Sequence, residues 1–347
     1  MFNLAHRFLT YLSPENAHNL SIQALKLGLY PKIKFTNTEI LEQTIWGRRF
    51  QTPIGLSAGF DKNAEIINPI LNLGFSFTEL GTVTPMPQFG NPKPRIHRFT
   101  KHQALVNSLG FNNKGMEVFE RNIINSNFKE NFQDKIIGIN IGNNKETKDI
   151  LNDLEKLFER LHRLGDYFVI NLSSPNTPGL RDNLKSYSFE KIVVRLHKLR
   201  EECHSKIPIL FKISPDITEQ EKKDIALISL ANDIDGLILT NTSIDKSYIN
   251  KDIEGGISGK PLFDKSNKII RDFYTLTSGK VKIIGVGGIF DANDVMVKMK
   301  LGASLIQVYS GFTYQGPYQI KKMTLDLISL IHEQGYRNIS DIIGQDS

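Results

Sequence analysis

Cysteine is almost absent from this chain. Cys203 is the single one in 347 residues, so no intrachain disulfide can form and a reducing compartment is expected. Its neighbours Glu202 and His204 could suggest a reactive thiol, but one cysteine on a predicted helix reads as an inert side chain. No apolar run is long enough to span a bilayer, and residues 1–31 lack the uninterrupted apolar core of a secretory signal. Glu15 and the polar residues around it argue against an Arg-rich transit peptide. Charge of one sign is not concentrated either. The 43 basic residues exceed the 37 acidic ones by only six, and no five basic residues are consecutive, so nucleic acid is not an expected partner. No dinucleotide-type G-x-G-x-x-G and no metal-ligand set stand out, and no metal is expected.

What is present is an ordinary soluble composition, 40% apolar and 23% charged, enough to bury one large α/β barrel or two smaller domains. The chain divides near residues 35–45. Beyond that point, apolar runs of strand length alternate with amphipathic stretches of helix length, the pattern of repeated βα units. Strands are predicted at 54–58, 75–80, 136–141, 167–172, 208–213, 236–240, 282–286 and 305–309, and helices at 151–164, 189–203, 220–230, 266–276, 292–299 and 318–332. Eight such strands close a (β/α)8 TIM barrel, with the first 40 residues as a small helical extension. An open doubly wound sheet is the alternative, since sequence does not show closure.

Every predicted strand ends in small or polar residues, and barrel active sites are assembled at that face. The densest of these ends is Asn171-Leu172-Ser173-Ser174-Pro175-Asn176-Thr177, a run of hydrogen-bonding side chains continued by Pro178-Gly179-Leu180-Arg181. A plain polar turn would explain this segment alone, but the other strand ends repeat the chemistry. Gly285, Gly287 and Gly288, followed by a predicted helix from about Asp291, read as a phosphate cradle with a helix N-terminus behind it. Gly255-Gly256-Ile257-Ser258-Gly259 reads as a second glycine-rich turn before a helix. Together they favour a phosphorylated ligand.

Several segments, in order along nearly the whole chain, resemble the motifs of the class 2, quinone-using dihydroorotate dehydrogenases. They are Ser57-Ala58-Gly59-Phe60-Asp61-Lys62, Asn107-Ser108-Leu109-Gly110-Phe111-Asn112-Asn113, the 171–181 loop, Thr240-Asn241-Thr242, 255–261, 285–289 and Tyr309-Ser310-Gly311-Phe312. The resemblance implies a barrel that holds FMN, takes a hydride from dihydroorotate and passes electrons to ubiquinone or menaquinone in pyrimidine synthesis. It implies Ser174 as catalytic base, where class 1 relatives carry cysteine, with Phe111 and Thr177 in its proton relay. Substrate contacts are then Lys62, Asn107, Ser108, Leu109, Gly110, Phe111, Asn171, Asn176, Asn241 and Thr242. Amides that both donate and accept suit the edges of orotate, and Lys62 suits its carboxylate. Ala58, Gly59, Lys62, Thr82, Asn140, Asn171, Lys212, Thr240, Gly259, Gly288, Tyr309 and Ser310 are implied for FMN, with Lys212 as the cation beside the reduced ring.

In the N-terminal region, Phe2, Ala5, Leu9 and Leu12 and then Ala17, Leu20, Ala24 and Leu27 recur at spacings of three and four, which predicts two short helices joined near 12–14, the second starting at Ser13-Pro14-Glu15. A helical pair packed on the barrel would account for this. The resemblance implies instead a quinone-access module on an anionic membrane, with His18, Arg98, Tyr309 and Thr313 around the quinone and the protein peripheral to the cytoplasmic face of the inner membrane. Two departures from the family pattern stand out: Ser108 replaces an expected arginine, and His97 replaces an aromatic or apolar residue. An FMN-dependent reductase, a phosphate-binding barrel lyase and a membrane-binding protein without catalysis remain alternative classes.

Overall fold

The computed structural model describes all residues except 1–5, 7, 178 and 250–252. Phe2, Ala5 and Pro178 therefore lie outside the described residues.

Eight parallel strands close into a barrel, so the open-sheet alternative is set aside. They are β3 (Ile54–Leu56), β4 (Phe77–Val83), β7 (Ile136–Ile141), β8 (Tyr167–Asn171), β9 (Ile209–Ile213), β10 (Gly236–Leu239), β12 (Lys282–Val286) and β13 (Leu305–Val308). Closure is made by β13 against β3, with Ile306 opposite Ile54 and Val308 opposite Leu56. Each strand reads as an apolar run because both its faces are covered, one by the barrel interior and one by the helical layer. Phe50, Phe77, Tyr167, Leu210, Ile238 and Leu305 fill the interior toward its N-terminal end. A hairpin of β1 (Gln43–Ile45) and β2 (Arg48–Phe50) closes that end, and Trp46 on its turn donates its indole N–H to the Asp235 carbonyl at 2.8 Å.

The upper half of the interior is polar. Glu79 is buried, and its two carboxylate oxygens accept from Asn140 Nδ2 at 2.7 Å and Gln307 Nε2 at 2.6 Å, while Lys212 Nζ lies 3.6 Å away. Such a site is tolerable only because the charge is paired and each oxygen is hydrogen-bonded.

A three-stranded antiparallel sheet covers the mouth of the barrel: β5 (Ile96–Phe99), β6 (Ala104–Asn107) and β11 (Gly256–Gly259), in the order β11-β6-β5. The predicted glycine-rich turn at 255–259 is thus a strand. Its glycines are needed for close approach, since a Cβ on Gly259 (φ +96°) would lie 2.1 Å from the Gln103 carbonyl oxygen. Helix α1 (Pro14–Lys26) packs against β5. Ser13 stands at its N-cap without a side-chain cap bond, and Pro14 and Glu15 form its first turn. Three ion pairs tie α1 to the rest of the fold, Glu15 to Arg95 at 2.8 Å and to Lys93 at 3.3 Å, and Lys26 to Glu65 at 2.8 Å.

Replacing Glu79 by glutamine leaves Lys212 buried without its counter-charge. We expect Glu79→Gln to lower the unfolding free energy by about 3–5 kcal/mol in urea titration, the usual cost of breaking a buried pair on one side. An unchanged midpoint would show that Lys212 does not depend on this carboxylate.

Candidate active site

The C-terminal ends of the barrel strands and the overlying sheet enclose a pocket of about 170 Å³. On its wall stand Ala58, Gly59, Lys62, Thr82, Asn107, Leu109, Gly110, Phe111, Asn171, Ser174, Asn176, Lys212, Thr240, Asn241, Thr242, Gly259, Gly288, Tyr309 and Ser310. Residues nominated from nine separate segments therefore converge on one place. Asn140, Ser108 and Thr177 do not reach the wall. Asn140 is fully buried one layer behind it, where its Oδ1 accepts from Thr82 Oγ1 at 2.5 Å. Ser108 engages through its backbone, its N–H donating to the Arg95 carbonyl at 2.9 Å and its carbonyl accepting from Asn91 Nδ2 at 3.0 Å. Thr177 is buried in the 171–181 loop.

Hydrogen bonds within the wall set its side chains. Asn171 Nδ2 donates to Thr82 Oγ1 at 3.0 Å, and Asn241 Nδ2 donates to Asn171 Oδ1 at 3.2 Å and Ser173 Oγ at 3.0 Å. Asn176 Nδ2 donates to Asn107 Oδ1 at 3.2 Å, but its buried Oδ1 has no partner within the protein. A buried acceptor without a donor is costly, and it suits a ligand N–H. The backbone N–H of Asn176 donates to Ser174 Oγ at 3.3 Å.

Gly287 and Gly288 adopt φ of +122° and +75°, and a Cβ on Gly288 would lie 2.6 Å from Phe263 Cα. This turn therefore exposes bare backbone to the pocket. The predicted helix behind it, Ala292–Lys300, contributes less than expected, because Asp291 caps it by accepting from the Asp294 N–H at 3.0 Å. The helix whose first residues reach the pocket is instead Ser310–Gln315.

Beside the polar pocket lies a larger apolar cavity of about 410 Å³ between α1 and the barrel, lined by Leu9, Ala17, Leu20, Ala24, Leu25, Phe60 and Phe312 among others. His18, Arg98, Tyr309 and Thr313 all stand on its wall. Arg98 also donates to the Thr10 carbonyl at 2.7 Å, which fixes the segment before α1. Lys62, Ile96, Leu105 and Tyr309 belong to both cavities, so a single layer of side chains separates them. Burial, helped by the Lys62 ammonium, holds His18 down to about 3, so its imidazole is neutral at neutral pH. Burial and the Arg95 guanidinium lower Lys62 to about 8, which leaves it protonated there.

Sequence reasoning missed Glu79, Gln307, Arg95 and Asn91. Glu79 and Gln307 had a signal, a lone polar residue inside an apolar strand. Arg95 donates to the Phe89 and Asn91 carbonyls, at 2.5 and 3.0 Å, and so connects α1 to the loop that holds Asn91 against the Asn176 carbonyl.

A closed α/β barrel with a polar, glycine-edged pocket at its C-terminal mouth has the architecture of a (β/α)8 enzyme acting on small anionic ligands. Comparison with known proteins narrows this. The family model described as Dihydroorotate dehydrogenase matches residues 40–331. A protein of Parvibaculum lavamentivorans named Dihydroorotate dehydrogenase (quinone) is 39% identical, covering 100% of this chain and 99% of its own. The protein of the same name in Rhodospirillum rubrum is 40% identical, over 99% of this chain and 94% of its own. The crystal structure of DHODH from Eimeria tenella in complex with ferulenol superposes with a TM-score of 0.92 at 36% identity, over 96% of both chains. The chain belongs to the dihydroorotate dehydrogenase family of oxidoreductases.

A histidine held neutral in the fold but free to ionise when unfolded makes stability fall as pH drops through about 6.5 toward 3, because only the unfolded state gains the proton there. We expect the acid-side fall in Tm over this window to be shallower in His18→Gln by scanning fluorimetry. Parallel curves would place the acid sensitivity elsewhere. Asp61, raised to about 6 by burial, acts with the opposite sign in part of the same window and is common to both proteins.

Proposed function

We propose that the protein oxidises dihydroorotate to orotate in pyrimidine synthesis and delivers the electrons to a membrane quinone, ubiquinone or menaquinone. The observation that carries this reading is the shared wall of Lys62, Ile96, Leu105 and Tyr309. A polar anion and a lipid-soluble acceptor need sites of opposite character, and here the two are in contact.

The polar pocket fits FMN on the chemistry of its residues: bare backbone at Gly287–Gly288 for a phosphate, a buried Lys212 for an electron-rich ring, and amide and hydroxyl groups of Asn171, Thr82 and Thr240 between them. Ala58, Gly59, Gly259, Tyr309 and Ser310 complete that assignment, and Asn140 acts from behind by orienting Thr82. When bound, FMN supplies acceptance of the hydride from C6 of dihydroorotate. Ser174 takes the proton from C5, with the Thr177 hydroxyl assigned to carry it onward and the Phe111 ring assigned to flank that relay. Lys62 balances the substrate carboxylate, and Asn107, Asn171, Asn176, Asn241 and Thr242 bind the edges of the ring. The Asn176 Oδ1 that lacks a partner is then satisfied by a substrate N–H.

Residues 1–40 form the quinone-access module and 41–347 the catalytic barrel. Phe8, Tyr11, Leu27 and Leu29 are exposed, and burying such side chains in a lipid interface stabilises contact by about 1.5–3 kcal/mol each. Among the described residues no helix is long and apolar enough to cross a membrane, and the proposed attachment is peripheral, at the cytoplasmic face of the cell membrane.

Ser174→Ala should keep FMN and orotate affinity while slowing flavin bleaching by dihydroorotate by about two to four powers of ten in stopped flow, the worth of a positioned base. A near-normal rate would remove Ser174 from that role. Ser21 stands on the wall of the apolar cavity. Ser21→Trp should leave bleaching by dihydroorotate intact and cut turnover with long-chain quinone in liposomes by at least about tenfold, through loss of cavity space. Equal turnover in both proteins would place the quinone elsewhere.

A further inference from the structure

Behind the Gly287–Gly288 turn lies a charge that the proposed mechanism does not use. Lys298, on the helix Ala292–Lys300, is completely buried. Its ammonium donates to Ser266 Oγ at 3.0 Å and to Asn267 Oδ1 at 2.8 Å, both neutral, and stands 5.0 Å from the centroid of the Phe263 ring. No carboxylate among the described residues forms an ion pair with it. The nearest acidic groups that act on it are Asp294 and Asp264, and Asp294 is already engaged by Lys260 at 3.3 Å. An unpaired buried ammonium costs several kcal/mol, which a Met or Leu packed in its place would avoid.

The same partners build the glycine turn. Ser266 Oγ, which accepts from Lys298, donates to the Val286 carbonyl at 2.6 Å, immediately before Gly287. A Cβ on Gly287 would meet Ser266 Cβ at 3.0 Å, and one on Gly288 would meet the backbone of Phe263. The ammonium therefore sits one side chain behind the turn, in a region shielded from water.

We propose that Lys298 is the counter-charge of the phosphate cradle, a positioning residue whose field makes the site select a phosphorylated flavin over its dephosphorylated form. This rests on the FMN reading of the pocket and adds a residue to it. Burial lowers Lys298 to about 7, opposed by Asp294 and Asp264, and a phosphate across the turn would draw the proton back. Screening by solvent is weak there, so the attraction survives over a longer distance than at a surface.

The test compares FMN with riboflavin, which differ by the phosphate alone, binding to apoprotein followed by flavin fluorescence quenching. In Lys298→Met, FMN affinity should fall at least about tenfold, with riboflavin affinity changed less than about twofold. Lys298→Arg should retain most of the preference for FMN. Because Lys298→Met could fail to fold, Asn267→Asp provides a second arm: it keeps the lysine, places a carboxylate against it, and should also reduce the preference for FMN. Equal loss of both flavins in Lys298→Met would make the residue merely structural and overturn the proposal, as would an unchanged FMN preference in Asn267→Asp. Wild-type protein that binds neither flavin would overturn the FMN reading itself and this inference with it, whereas wild type that prefers FMN beside variants that prefer it equally would overturn only the role of Lys298.

Discussion

One buried carboxylate, Glu79, organises the mouth of the barrel. Its oxygens hold Asn140 and Gln307 and lie against Lys212, Asn140 then fixes Thr82, and Thr82 fixes Asn171. Four groups on the pocket wall, Thr82, Asn171, Lys212 and Gln307 from strands β4, β8, β9 and β13, thus take their orientation from a residue that never touches the pocket. Burying Glu79 costs several kcal/mol unless all its partners are present, so the arrangement is close to all-or-none. The apolar lower half of the interior keeps water away from this group and so keeps the network strong.

The barrel was legible because all eight of its strands are buried and mostly apolar runs that end in polar or small residues. The covering sheet was not, because each of its strands is only four residues long, and Gly256 and Gly259 gave β11 the composition of a turn. Those glycines answer to tertiary contacts, Thr242 and Gln103, that no local pattern carries. Most nominated site residues lie on one wall, since motif register identifies the loop. Depth is another matter: Asn140 and Thr177 occupy the nominated segments yet stand behind the surface, and only packing decides that. Glu79 was visible as a charge in an apolar strand, but its partners come from strands far apart in sequence, and Arg95 gave no local sign of bridging two elements.

The N-terminal region is bound into the site more closely than a separable extension would be. Glu15 on α1 pairs with Arg95, Arg95 holds the carbonyl of Asn91, and the Asn91 amide holds the carbonyls of Ser108 and Asn176. This chain of contacts joins the apolar cavity's own helix to two segments of the polar pocket. Movement of α1 as a unit would be felt at Asn107 and Asn176, which are themselves hydrogen-bonded to each other.

The partition of Lys62, Ile96, Leu105 and Tyr309 also constrains how the two cavities can diversify. A change in any of these four alters both compartments at once, so this boundary has little freedom. The outer lining of the apolar cavity is free of that coupling: Leu9, Leu20 and Ala24 face it from the N-terminal segment and touch nothing on the polar side. Compounds that discriminate between members of this family are therefore better sought against the outer lining, where neighbouring proteins can differ without disturbing the chemistry next door.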